Sequence, residues 1–357
     1  MSRQSLATVF HGSNVPIELR SVDVPDPVGR EILVEVSACT LCGSDLHTLH
    51  GRRSTPVPTV LGHEILGRIV AFGHDAPRVD ASGAPLSVGD RVTWAVVASC
   101  GACFFCLRNL PQKCEHQTKY GHEAIRPDQI LSGGLARHCV LVGGTAVYRV
   151  PEGLSDAAAC PANCATATVA AALEAAGSLA GATVLVVGCG MLGLTAAAWA
   201  ADLGARVIAT DVDPARLARS IPFGAALTAE PATLVAAVRE ATDGRGVDAV
   251  LELSGAPEAI ASAIPLLRVG GTLVLVGTVF PTEPVAILPE QVVRRCLTIR
   301  GVHNYRPDHL AAALAFLERQ YALPWDSLVG PWQPLERLAQ AIHDPDLLSR
   351  PRIGIRP

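Results

Sequence analysis

Val184-Leu-Val-Val-Gly188-Cys-Gly190-Met-Leu-Gly193 joins an apolar run directly to a G-x-G-x-x-G turn. The apolar residues ahead of the glycines read as a buried strand, and the uncharged stretch behind them reads as the start of a buried helix. In that setting Gly188 permits the tight turn, Gly190 lets a pyrophosphate approach the backbone, and Gly193 lets the helix pack closely on the sheet. The free N–H groups of the helix start then face the diphosphate. Val184 to Ala201 is eighteen residues without a charge, close to the length of a bilayer span. Glycines at 188, 190 and 193 favour strand, turn and helix start instead, and no membrane partner is expected. Asp211 closes the next apolar strand. A carboxylate there hydrogen-bonds the adenine-ribose hydroxyls and repels a 2′-phosphate, so the expected cofactor is NAD rather than NADP.

Outward from this motif, apolar runs at 183–187, 206–210, 249–253 and 272–276 alternate with Ala-rich helical stretches. Strand alternating with helix implies a doubly wound parallel sheet covered on both faces. The first 150 residues differ: β-branched runs at 31–36, 65–71 and 90–97, broken by Gly and Pro, read as short strands of an irregular β domain. Beyond Asn304 come one helix candidate, 308–320, and a terminal strand, 352–356. A chain of 357 residues exceeds what one hydrophobic core serves, so two domains are expected. A net charge of −4 leaves no basic excess for nucleic acid. The N-terminus shows no apolar core with a small-residue cleavage site, so no secretion signal is expected.

Eleven cysteines are present, and four of them fall in Cys100-Gly-Ala-Cys103-Phe-Phe-Cys106-Leu-Arg-Asn-Leu-Pro-Gln-Lys-Cys114. Four thiolates this close in sequence surround one Zn²⁺ tetrahedrally and leave no vacant position, which makes a structural staple. Several cysteines at metal-ligand spacing point to reducing cytosol. A second set, Cys42-Gly-Ser44-Asp45-Leu-His47, Gly62-His63-Glu64 and Pro161-Ala-Asn-Cys164, offers two thiolates and one imidazole. Three protein ligands leave the fourth position of a zinc ion to water or substrate. Cys39-Thr-Leu-Cys42 also has the spacing of a redox pair, though outside any thioredoxin-like unit. Cys160 competes with Cys164, and only the Cys-Ala-Thr-Ala context selects the latter. Cys39, Cys139, Cys160, Cys189 and Cys296 are left as small buried residues.

Together these motifs resemble, over essentially the whole chain, the zinc-dependent medium-chain alcohol dehydrogenases. The resemblance implies an α/β protein: a GroES-like β-rich catalytic domain (1–165 and 304–357, with the zinc lobe at 100–114) and a Rossmann domain (166–303). It implies Cys42, His63 and Cys164 as catalytic zinc ligands, with Glu64 beside the metal as an occasional substitute for water. Ser44 matches the hydroxyl that takes the substrate proton, His47 the base that passes it to solvent, and Asp45 the carboxylate that orients His63. Two zinc ions per chain, NAD, and a homodimer or homotetramer follow from the same resemblance.

The implied reaction interconverts an alcohol and an aldehyde or ketone by hydride transfer. Arg52 and Arg53, just after His47, and Lys119, just beyond the zinc lobe, fall in segments that border the substrate channel in the family. Arg grips phosphate, phosphonate or carboxylate through paired hydrogen bonds, and Lys adds a point charge. Gly121-His-Glu-Ala, Leu131-Ser-Gly-Gly-Leu-Ala-Arg-His138, Pro161-Ala-Asn-Cys-Ala-Thr-Ala-Thr-Val169 and Gly301-Val-His-Asn-Tyr-Arg306 together resemble a subgroup associated with phosphonate catabolism, which implies a hydroxyalkyl-phosphonate or another anionic alcohol. A polyol or simple primary alcohol is the alternative, and a non-catalytic NAD- and zinc-binding scaffold the remote one. His303 lies where the Rossmann domain returns to the catalytic domain and is a candidate contact to cofactor or substrate.

Overall fold

The computed structural model describes residues 3–127 and 129–357, and the chain divides into two compact units, Met1–Cys164 with Arg306–Pro357, and Ala165–Tyr305. In the first unit, strand Ile32–Leu41 carries the sheet. It pairs antiparallel with Glu64–Phe72, His138–Leu141 and the C-terminal strand Ile353–Arg356. Arg91–Trp94 and Val147–Arg149 extend the sheet on the Glu64–Phe72 side, and Gln333–Pro334 extends it at the other edge. Trp94 and Tyr120 are fully buried beneath it and meet edge to face at 5.9 Å between ring centres. A short helix, α1 (Gly43–Leu49), follows the central strand at once.

The run at 90–97 forms two strands, not one. Arg91–Trp94 stays in the sheet, while Val97–Ala98 leaves it to pair with Thr118–Lys119. The carbonyl of Trp94, which would continue the ladder, instead accepts Asn163 Nδ2 at 2.9 Å.

In the second unit six strands, Thr183–Val187 (β1), Arg206–Thr210 (β2), Ala225–Thr228 (β3), Val247–Glu252 (β4), Leu267–Leu275 (β5) and Thr298–Gly301 (β6), form one parallel sheet. Their order is β3-β2-β1-β4-β5-β6. The chain winds one way from β1 and then the other, so a crevice opens beyond the carboxyl ends of β1 and β4. β3 and β6 lie outside the four apolar runs read from the sequence. Both are edge strands with partly exposed side chains, so neither carries the continuous apolar run that marks a strand buried on both faces.

Val184 to Ala201 resolves into β1, a glycine turn and helix α2 (Met191–Asp202). Among the described residues no helix is long and apolar enough to cross a membrane. Gly188 sits at φ +93°, and a Cβ on Gly193 would lie 1.8 Å from the Gly188 carbonyl oxygen. Gly190, by contrast, is exposed at the N-cap of α2 with nothing within 4 Å of the position a Cβ would take.

Gly193→Ala is therefore expected to force β1 and α2 apart and to cost about 1–3 kcal/mol or more. Gly190→Ala has room for its methyl group and should leave stability nearly unchanged. Urea denaturation of the two variants checks this, and equal losses would contradict the packing role of Gly193.

Candidate metal and cofactor sites

The four Sγ atoms of Cys100, Cys103, Cys106 and Cys114 all lie within 4.8 Å of one another. Cys103 and Cys114 are 3.8 Å apart, and a tetrahedral zinc with ~2.3 Å bonds separates its sulfurs by about 3.8 Å. The lobe is a run of tight turns, which aims backbone N–H groups at sulfur: Cys100 N at 3.2 Å from Cys114 Sγ, Cys103 N at 3.3 Å from Cys100 Sγ, and His116 N at 3.3 Å from Cys114 Sγ. Such donors favour thiolate. Backbone N–H groups of Cys106 and Glu115 bring the Cys103 thiol down to about 6. Burial and the bond to Cys103 push Cys106 up to about 12. All four donors belong to one loop, and the shell is closed.

The second cluster draws on separate elements. Cys42, His63 and Cys164 bring one donor atom each to within 4.8 Å of one another. Cys42 caps α1, and Asp45 in the first turn accepts the Cys42 N–H at 2.9 Å with one oxygen. Its other oxygen lies 3.1 Å from His63 Nδ1, which leaves Nε2 as the donor toward the sulfurs. Burial works against a charge on His63, but the fully buried Asp45 carboxylate and Cys42 outweigh it and raise the imidazole to about 10. A hydrogen bond from Cys164 holds the Cys42 thiol well below its usual value against burial, and Cys164 rises correspondingly. A pocket that stabilises positive charge this strongly among two sulfurs and an imidazole suits a divalent zinc ion.

Cys164 is placed by its neighbours. Asn163 is fully buried and spans two strands, accepting Ile65 N–H at 3.3 Å while donating to the Trp94 carbonyl. The Cys160 thiol donates to the Glu64 carbonyl at 3.2 Å, so Cys160 is turned into the sheet and Cys164 into the cluster. Cys39, Cys139 and Cys189 are buried as expected; Cys296 is not. It stands at the turn between a short helix and β6 at φ +51°, with its thiol exposed.

Glu64 lies outside the donor cluster. Both its oxygens are taken by Arg352, Nε and a terminal nitrogen each at 2.7 Å, and Thr40 Oγ1 adds a bond at 2.6 Å. The same Arg352 nitrogen reaches Cys42 Sγ at 3.5 Å. Burial opposes the Arg352 charge, while Glu64 and Cys42 more than offset it and keep the guanidinium protonated. Neither Arg352 nor Asn163 was evident from motif spacing, since Arg352 is separated from Glu64 by 288 positions.

Ser44 and His47 are three apart on α1, hence on one side of it, and both are partly exposed. Burial and the Arg52, His50 and Arg53 charges lower the His47 imidazole below its usual value, with Cys42 opposing. Arg52 and Arg53 close the turn after α1 through N–H bonds of 2.8 and 3.2 Å to the His47 carbonyl. Lys119 lies in a segment pressed on the ligand loop: a Cβ on Gly121 would lie 2.5 Å from the Gly62 carbonyl oxygen, and the His122 and His63 rings are 5.0 Å apart. Burial, then the Arg53 charge, bring Lys119 down to about 8, while Cys164 and Asp45 pull it the other way. Among the described residues, none of Arg52, Arg53 and Lys119 has an ion-pair partner.

In the second unit, Asp211 follows β2 and accepts Cys189 N–H at 2.6 Å and Asp213 N–H at 2.9 Å. Its carboxylate is thereby fixed beside the glycine turn, with further acceptor capacity on each oxygen. His303 is exposed near the end of this unit.

Removing Arg352 leaves the buried Glu64 without its counter-charge. Arg352→Met should cost about 3–5 kcal/mol, and Arg352→Met combined with Glu64→Gln should recover a large part of it. Denaturant unfolding of the two variants measures this; a single variant as stable as the parent would show that the pair is not coupled.

The sequence pattern of zinc-binding dehydrogenases matches residues 192–319, and that of the alcohol dehydrogenase GroES-like domain matches residues 29–152. An alcohol dehydrogenase of Geobacillus stearothermophilus is 32% identical over 317 residues, covering 87% of this chain and 88% of that one. D-arabitol-phosphate dehydrogenase of Enterococcus avium is 29% identical over 326 residues, 90% and 88% of the two chains. Among solved structures, an alcohol dehydrogenase of Thermotoga maritima superposes with a TM-score of 0.93 at 29% identity over 99% of this chain and 100% of that one. A protein of Sinorhizobium meliloti 1021 solved with NADP bound does so at 0.85 and 25% over 99% and 100%. With its six-stranded parallel sheet, its GroES-like domain and its two clusters of metal donors, the chain belongs to the zinc-binding medium-chain alcohol dehydrogenases.

Proposed function

We propose that this enzyme oxidises an alcohol to the carbonyl compound, or runs the reverse reaction, with NAD, and that its substrate carries an anionic group at the end remote from the hydroxyl. The observation that carries the reading is the buried Cys42–His63–Cys164 cluster, one donor short of a tetrahedral shell, directly beside the helix that bears Ser44 and His47. When bound, zinc supplies the Lewis acid and NAD the hydride acceptor. Cys42, His63 and Cys164 hold the metal, and Asp45 and Arg352 fix two of those ligands from behind. Ser44 takes the proton of the substrate hydroxyl, and His47, kept neutral near pH 7 by its surroundings, passes it to solvent. Glu64, engaged by Arg352, stays in reserve. Gly188, Gly190 and Gly193 shape the turn for the pyrophosphate, and Asp211 accepts the ribose hydroxyls. A reducing cytosolic setting keeps the ligand thiols available, and a dimer or tetramer is the assembly we infer.

The substrate class rests on Arg53 and Lys119. Two cations without ion-pair partners, one of them largely withdrawn from water, feel each other's charge, and Lys119 feels Cys164 and Asp45 as well; cations so placed are completed by an anion. A hydroxyalkyl-phosphonate or its aldehyde fits this requirement, and the relative that acts on D-arabitol phosphate supports the general class. Sorbitol dehydrogenase of Halalkalibacterium halodurans, 30% identical over 304 residues, keeps a neutral polyol as the second reading.

The test is a panel pairing anionic and neutral alcohols of equal chain length, assayed with NAD and NADP. We expect NAD and the anionic alcohols to be preferred, Cys42→Ser to abolish turnover, and Arg53→Ala or Lys119→Ala to raise KM for anionic alcohols by a factor corresponding to about 1.5–3 kcal/mol. Lys119 loses its proton as pH rises through about 8, so KM for an anionic alcohol should climb above that pH and stay flat in Lys119→Arg. Equal use of neutral alcohols, indifferent to both substitutions, would replace this substrate class with the polyol reading.

The relay has its own signature. His47 must be neutral to accept a proton, and its lowered value keeps it so into mildly acidic solution. Oxidation should therefore hold its rate down to a pH below the usual imidazole range and fall only beyond it. Arg52→Ala removes a neighbouring positive charge and should move that acid limb to higher pH, whereas His47→Gln should abolish the limb and slow oxidation near neutrality. A pH-rate profile unchanged in His47→Gln would remove this residue from the relay.

A further inference from the structure

Glu252 ends β4 beside the crevice and is completely buried. One carboxylate oxygen accepts three hydrogen bonds, from Ser254 N at 2.8 Å, Ser254 Oγ at 2.5 Å and Gly255 N at 2.8 Å; the other is buried without a partner. Burying a carboxylate in this way is costly, and side chains of this kind persist where they hold something in place. What it holds is the turn after β4. That turn packs backbone to backbone against its two neighbours: a Cβ on Gly188 would lie 3.0 Å from Ser254 N, and one on Gly255 would lie 2.7 Å from the Gly277 carbonyl oxygen. The Glu252 backbone continues the clamp, its carbonyl accepting Val276 N–H and Gly277 N–H, each at 3.0 Å. Turns following β1 and β5 thus meet the turn that Glu252 holds, at the carboxyl edge of the sheet, where strand order reverses and a dinucleotide lies.

We propose that Glu252 is a positioning residue for the cofactor: through Ser254 and Gly255 it sets the wall of the crevice that faces the glycine turn. Glu252 itself is too deeply enclosed to touch the dinucleotide, and acts through the exposed Ser254. The inference rests on the dinucleotide-binding reading above.

Equilibrium titration with NADH, followed by its fluorescence, tests this in the zinc-loaded protein, with melting temperatures and zinc content recorded for each variant. Failure of the parent protein to bind NADH would overturn the cofactor reading as a whole. Given binding by the parent, Glu252→Gln keeps an acceptor oxygen at the turn and should bind NADH within about threefold of it. Glu252→Asp, one methylene short of the turn, should weaken NADH at least tenfold, and Glu252→Ala further. KM for NAD should rise in parallel, while kcat at saturating NAD and KM for the alcohol stay near parental values. Should Glu252→Ala not fold, the contrast between Glu252→Asp and Glu252→Gln decides. Melting temperatures that fall in Glu252→Asp while its NADH affinity matches the parent would reduce Glu252 to a structural residue and overturn the proposal.

Discussion

A buried ion pair between Glu64 and Arg352 organises the first unit. Such pairs contribute little net stability compared with apolar side chains of the same volume, because both charges must leave water. Their geometric demand is the stronger effect. Arg352 can satisfy both Glu64 oxygens and reach Cys42 only if the C-terminal strand lies in register on Ile32–Leu41 and Glu64–Phe72 lies in register on its other side. His63 immediately precedes Glu64, and Cys42 immediately precedes α1. Two of the three ligands in the buried cluster thus take their positions from one satisfied pair of charges.

The two clusters of metal donors solve different problems. The lobe at 100–114 is partly exposed and gathers its sulfurs from consecutive turns, with backbone N–H groups to stabilise the thiolates. The Cys42–His63–Cys164 cluster is assembled from three distant segments and surrounded by full or partial charges: Asp45 behind the imidazole, Arg352 behind one thiol, and a hydrogen bond between the Cys164 and Cys42 sulfurs. The first arrangement completes the metal's coordination. The second leaves it incomplete and adjusts the electrostatics of what remains.

Much of this was legible in the sequence because the determining features are local. Glycines at 188, 190 and 193 behind an apolar run, and four cysteines within fifteen residues, declare their chemistry through spacing alone. Central strands of the parallel sheet stood out for a related reason, being apolar on both faces. Edge strands β3 and β6 did not, since half their side chains meet water. Arg352, Asn163 and Glu252 were beyond reach because each acts through partners that only folding brings near, and an arginine in a short terminal strand carries no sign of a buried carboxylate 288 positions away. Cys296 departs from the general expectation that a spare cysteine is buried: it stands exposed in a turn, at φ +51°.

The division of the first unit into two stretches separated by the whole Rossmann sheet imposes an order of assembly on the nascent chain. Synthesis releases the N-terminal stretch first, and domains generally fold as they emerge. Residues 100–114 are contiguous and can capture zinc as soon as they leave the ribosome. Glu64 must wait for Arg352, while Ala165–Tyr305 has all its strands before Arg352 is made. The two clusters therefore become complete at different points of synthesis: the loop has all its donors once residue 114 has emerged, whereas the buried cluster gains Arg352 only with the last strand of the sheet.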